Sequence, residues 1–144
     1  MKDKISVSEF REIKKPRKKE EESLSLRVCK YLDMAYPNVM YACDLSGIKL
    51  PIGLAVKAKA QRCKNYKIID LFIYENNKYY GGLAIELKKN KDEVYCKGGS
   101  LRQNEHIQEQ FKSISKLRLN RYSAHFGCGF DEAVWLIDEY MKNR

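Results

Sequence analysis

Asp70 lies inside the apolar run IIDLFIY, and after fifteen intervening residues the run LAIELKK carries Glu86 and Lys88. Moving an isolated carboxylate out of water costs several kcal/mol, so a strand of this kind keeps an aspartate where a cation, a metal or a donor array meets it. In the second run Leu83, Ile85 and Leu87 alternate with Ala84, Glu86 and Lys88, which puts the carboxylate and the ammonium on one side, two residues apart. In the first, Ile69, Leu71 and Ile73 share one face and Ile68, Phe72 and Tyr74 share the other with Asp70, so both faces are expected to be buried. Pairing of the two runs as a hairpin would gather Asp70, Glu86 and Lys88. Two carboxylates converging at a sheet edge beside a lysine suit metal-assisted phosphodiester hydrolysis. Mg2+ takes hard oxygen ligands and keeps several waters, and a bound water loses its proton more readily. A lysine can orient or deprotonate that water and offset charge on the pentacovalent phosphate. The plain alternative is an internal ion-pair cluster in which lysine neutralises the acids. The E-x-K triplet occurs twice, at Glu12 and Glu86, and only the second sits in a β-rich run behind another that bears a lone aspartate.

These side chains need a frame. From Glu20, Leu24, Val28, Tyr31 and Leu32 recur at helical spacing until Pro37 stops the pattern, which predicts a first helix. VMYAC, residues 39–43, reads as a strand. Residues 44–65 read as a long basic connection with Gly47, Pro51 and Gly53 as breakers. The two β-rich runs of the candidate site follow, separated by ENNK, whose asparagines supply turn geometry for an antiparallel hairpin. Gly98 and Gly99 open a loop, a second helix covers 104–119, a short strand covers 122–126, and FDEAVWLIDEYMK forms a terminal helix. The order is helix, three strands, helix, strand, helix: an α/β (α+β) chain with one mixed sheet covered by helices.

The 144 residues, 44% of them hydrophobic, fit one globular domain and leave no room for a second of full size. Residues 1–19, which end in KKPRKK, hold few large apolar side chains and are expected to form a flexible basic arm, leaving 20–144 as the folded domain. No run approaches the roughly 20 consecutive apolar residues of a membrane span. The lysine-rich start is followed by no apolar signal-peptide core, so a soluble, cytoplasmic protein with no membrane partner is expected. Five cysteines without a C-x-x-C pair suggest reduced thiols, and a zinc site from Cys96, His106, His125 and Cys128 fits no familiar ligand spacing. The formal charge of +9 favours polyanions as partners. The excess is spread over the chain, with eight basic against four acidic residues in 1–20 and twenty against fifteen beyond. Lys57, Lys59, Arg62, Lys64 and Lys67, just ahead of the Asp70 strand, are the best candidates for gripping backbone phosphates, which position DNA without reading its sequence. A solvated basic loop is the alternative. Nothing resembles a base-reading helix, a zinc finger or a P-loop, so sequence-specific binding is not expected.

The Asp70, Glu86 and Lys88 arrangement resembles the PD-(D/E)xK nuclease core, and residues 21–141 resemble its VRR-NUC branch. The matching strings are E-x-x-x-x-x-x-V-x-x-YL (Glu21, Val28, Tyr31, Leu32), IDLFIY, YYGGLAIELKK, HIQEQ with a helix leading to RY, and GFDEAVWLIDEYM. The resemblance implies a restriction-endonuclease-like αβββαβ core and Mg2+- or Mn2+-dependent cleavage of DNA, commonly branched or flapped, in phage and bacterial genomes. It implies that Asp70 and Glu86 bind the metal, that the Leu87 carbonyl is a further ligand, and that Lys88 is the catalytic lysine. Glu21 matches the extra acid on the first helix, although Glu20 and Glu22 leave its register open, and acids are favoured at a helix start in any case. Gln110 matches the glutamine of the helix after the catalytic strands. His106, one helical turn earlier, faces the same side and is a candidate either for phosphate contact or for a structural role. Ile69 stands where the family usually has proline, and Ser25 where it usually has glutamine. Stand-alone members resemble Holliday-junction resolvases, acting as homodimers that cut two strands to leave 5′-phosphate and 3′-hydroxyl ends. Two rivals stay open: a non-catalytic nucleic-acid-binding protein on the nuclease scaffold, and a restriction-type nuclease subunit.

Overall fold

The computed structural model describes residues 23–44 and 48–144, so the expected basic arm and Glu21 lie outside the described residues. The elements are α1 (Leu24–Ala35), β1 (Tyr41–Cys43), α2 (Ile52–Ala60), β2 (Leu71–Ile73), β3 (Leu83–Lys88), a short 3-10 turn (Lys91–Glu93), α3 (Glu105–Leu119), β4 (Ser123–Cys128) and α4 (Phe130–Met141). Helix α1 begins where the Ser23 hydroxyl accepts the Leu26 N–H at 3.2 Å, and α3 where the Asn104 side chain accepts the Ile107 N–H at 2.9 Å. Each cap satisfies a donor that a helix start leaves open.

The strands form one mixed sheet in the order β1-β2-β3-β4, antiparallel across the first three and parallel between β3 and β4. A parallel neighbour requires a crossover, and α3 supplies it. On one face, Leu71, Ile73, Leu83 and Ile85 pack with Val28 and Leu32 of α1 and with Ala133 and Ile137 of α4. The Tyr31 and Tyr36 hydroxyls fasten these helices by donating to Asp138 at 2.6 and 2.7 Å. On the other face, Ala84, Ala124 and Phe126 meet Ile107 and Ile114 of α3. Each such fully buried Leu or Ile contributes about 2 kcal/mol, and the two cores clamp the sheet from both sides. Glu86 and Lys88 belong to the α3 face by strand alternation; Asp70 directly precedes β2, and Ile69, expected beside Leu71 and Ile73, packs instead in the α3-side core because the chain leaves the strand there.

Several expectations are corrected. The connection over 44–65 contains α2: Pro51 starts a helix it was expected to break, because proline's fixed φ suits a helix start, and Ala55, Ala58 and Ala60 then propagate it. The first strand is shorter than 39–43, starting at Tyr41, and the last runs on to Cys128. The strands of the hairpin end at Ile73 and resume at Leu83, so YYGG belongs to the connection, where the Asn77 side chain accepts the Tyr79 and Tyr80 N–H groups. Gly82 ends that connection because a Cβ there would come within 2.9 Å of Phe72 Cζ and 3.0 Å of the Ile73 carbonyl oxygen. Finally, the Asp70 face of the first run is not buried throughout: Ile68 and Tyr74 are exposed and Phe72 is half-buried, because α3 lies over β3 and β4 and leaves β2 largely uncovered on that side.

Candidate active site

The register builds the site. The β2–β3 pairing ends at Leu71 and Ile85, and Asp70 and Glu86 are the next residue on each side, close enough to interact; one step beyond Cys43 and Leu71, Asp44 stands beside Asp70. The Asp44 N–H donates to the Asp70 carbonyl at 2.7 Å, extending the β1–β2 ladder by that step. Across the gap to β3 the ladder ends differently: Asp70 Oδ2 accepts the Leu87 N–H at 2.9 Å. A strand residue points its N–H and C=O to the same edge, so the Leu87 carbonyl projects toward the Asp70 side as well.

Glu86 is only 3% exposed. Gln110 of α3, also buried, donates from Nε2 to Glu86 Oε1, while Glu86 Oε2 and Gln110 Oε1 are buried without a hydrogen-bond partner. Burial pushes the Glu86 carboxyl up to about 8; the neighbouring Asp70 charge and a hydrogen bond to Asp70 push the same way, and Lys88 opposes them. As ionised carboxylates neither Asp70 nor Glu86 can donate to the other. Their approach becomes attractive only with a proton or a cation between them.

The donors present fit a hard divalent cation. Two carboxylates, a backbone carbonyl and an amide oxygen are the oxygen ligands Mg2+ and Mn2+ favour, and the two orphaned buried oxygens are acceptors aimed where no protein donor satisfies them. Among the described residues no three His, Cys, Asp or Glu side chains gather as a metal-holding group. A cation at Asp70 and Glu86 would therefore complete its shell with neutral oxygens, water or a residue outside the described ones, such as Glu21.

A cleft of about 630 Å³ opens onto Glu86 and Gln110 and is walled by His106, Lys59, Arg62, Lys64 and Lys67. Asp70, Lys88 and the exposed Lys57 do not line it. Lys88, at the end of β3, is partly exposed. Of the basic residues, Arg62 grips Asp44 through Nη2 at 3.2 and 3.3 Å and Lys67 pairs with Glu109 at 3.3 Å. Lys59 and Lys64 make no ion pair among the described residues. Sequence reasoning overlooked Asp44. Its position directly after the first strand was the signal, since a residue that ends one strand of a meander can stand beside its neighbour's terminal acid.

No protein-family model and no curated protein matches this sequence. A solved structure of a VRR_NUC domain protein superposes with a TM-score of 0.54, covering 85% of this chain and 92% of that one at 18% sequence identity. The chain therefore shares the fold of that VRR_NUC domain protein.

Proposed function

We propose that the protein is a Mg2+- or Mn2+-dependent endonuclease that hydrolyses phosphodiester bonds in branched or flapped DNA, Holliday junctions included. The observation that carries this reading is the neighbouring pair Asp70 and Glu86, one nearly inaccessible, with a buried carboxylate oxygen that no donor satisfies. A pair that repels itself is costly unless a cation resides there.

Asp70, Glu86 and the Leu87 carbonyl would hold the cation, with Glu21 completing the set. When bound, it polarises the scissile phosphate and acidifies a water. Gln110 fixes the Glu86 carboxylate by its Nε2 hydrogen bond, and its own buried oxygen is without a donor among the described residues. Lys88, on the same strand face as Glu86, would orient the attacking water by donating to it and offset charge gathering on the phosphate. Lys59, Lys64 and His106 at the cleft, helped by Lys57, Arg62 and Lys67, hold flanking phosphates. A homodimer presents two such sites to two strands, suited to recombination or repair of bacterial or phage DNA in the cytoplasm.

The test incubates flapped, four-way and linear DNA with the protein and Mg2+ or Mn2+. The expected result is cleavage of the branched forms that leaves 5′-phosphates, is abolished by EDTA, and drops at least about a hundredfold in Asp70→Ala and Lys88→Ala. Cleavage unaffected by either substitution would refute the assignment. Tight DNA binding with no cleavage by the unaltered protein would favour a non-catalytic binder on this scaffold.

A further inference from the structure

Helix α2 has no buried residue, yet its composition is apolar. Ile52 is 86% exposed and Val56 64%. Separated by four residues, they form one stripe along the helix. Ala55 and Lys59, also four apart, line the cleft that reaches Glu86 and Gln110, so the apolar stripe runs beside the cleft-facing one. Between Asp44 and Asp70 the chain carries Lys49, Lys57, Lys59, Arg62, Lys64 and Lys67 and no acid.

We propose that the Ile52 and Val56 stripe of α2 is a wedge that packs on unstacked bases at the branch point of DNA while the surrounding lysines hold the phosphates. Charge selects this occupant. A symmetric contact with a second copy would set this acid-free basic segment against itself, with no carboxylate to relieve the repulsion. DNA offers phosphates to the cations, but paired and stacked bases leave little apolar surface outside the grooves. Aliphatic side chains gain contact where bases are already parted, or can be parted, as at a flap or junction. The wedge thereby supplies preference for branched over continuous duplex beside a catalytic site that by itself cuts any phosphodiester. This inference deepens the nuclease reading and rests on it for the choice of DNA.

The test measures binding by fluorescence anisotropy in EDTA, so that cleavage does not enter, on a flapped duplex and a fully paired duplex of equal length. Ile52→Ser/Val56→Ser is expected to weaken flap binding about tenfold and duplex binding less than about twofold, with unchanged thermal melting because both side chains are exposed. Ile52→Leu/Val56→Leu is expected to keep the preference. 2-Aminopurine at the branch should brighten with the unaltered protein and not with the serine variant. Equal losses on both DNAs, no loss on either, or no brightening with the unaltered protein would overturn the wedge. So would light scattering that finds a dimer converted to a monomer by the serine substitutions, which would assign the stripe to self-association. If the binding pattern holds but Mg2+ and Mn2+ support no cleavage, the nuclease reading alone falls.

Discussion

Buried Glu86 beside the partly exposed Asp70 should make metal-free stability fall as pH rises, and Glu86→Gln should remove that fall. The ordinary carboxyl value is 4.5, and burial beside Asp70 raises Glu86 to about 8. Between these values the folded protein holds a proton that the unfolded chain has released. With fewer protons bound when unfolded, stability drops with pH, by up to about 1.4 kcal/mol per pH unit for one group. The contribution is fully favourable below the unfolded value, declines across the window, and levels off above about pH 8. Integrated, the ceiling is about 5 kcal/mol, less whatever the site recovers by relaxing around the ionised acid. Urea melts in EDTA from about pH 5 to about pH 9 should show a negative slope in the unaltered protein, while Glu86→Gln, neutral throughout, should lack most of it. The difference between the two isolates Glu86 from every other titrating group. Mg2+ should flatten the slope as the cation takes the proton's place. Parallel pH profiles for the two proteins in EDTA would refute the claim that these carboxylates crowd each other.

Gln110→Leu should weaken Mn2+ binding about 10- to 100-fold, measured by isothermal titration, because it removes the donor that orients Glu86 and one of the two orphaned oxygens. Lys59→Ala and Lys64→Ala should each weaken binding to all DNA forms alike and reduce the slope of log affinity against log salt by about one. Gly82→Ala should cost about 1–3 kcal/mol in urea unfolding, since the new methyl would meet Phe72 Cζ at 2.9 Å and the Ile73 carbonyl at 3.0 Å.

What was legible in the sequence followed from local periodicity. The period-2 runs around Asp70 and Glu86 located two strands and the face they share, and the i, i+4 spacing of His106 and Gln110 placed both at one cleft. Residues whose role depends on partners distant in sequence were not legible. The pairing of Arg62 with Asp44 joins positions across α2, and that of Lys67 with Glu109 reaches α3, so the charge run read as five similar cations when two were already committed. Helix α2 escaped because its signal is propensity alone: it has no buried stripe, and apolar periodicity can be read only where a helix packs on something. The burial of Ile68 and Tyr74 was overread for the complementary reason, since alternation tells which face a side chain joins but not how far α3 reaches along it.

These two misreadings bear on function in the same direction. A fold that optimised stability would bury the apolar residues of α2 and expose or separate the acids at the edge; this one does the reverse at both places. The cores on either side of the sheet tolerate that. Leu71, Ile73, Leu83 and Ile85 are essentially inaccessible, so the strands that present Asp70 and Glu86 are held from the opposite face whatever the acids cost. Local departures from the rules that govern the rest of a chain are where function is to be sought. Here they meet at one cleft, lined by Glu86 and by Ala55 and Lys59 of α2: among the described residues the buried Glu86 oxygen has no donor and the apolar helix has no buried residue. A cation and a nucleic acid with parted bases would relieve both at once, so metal and branched DNA should bind with positive coupling. Affinity for flapped DNA measured in Ca2+ should exceed that in EDTA in the unaltered protein, and Glu86→Gln should erase the difference.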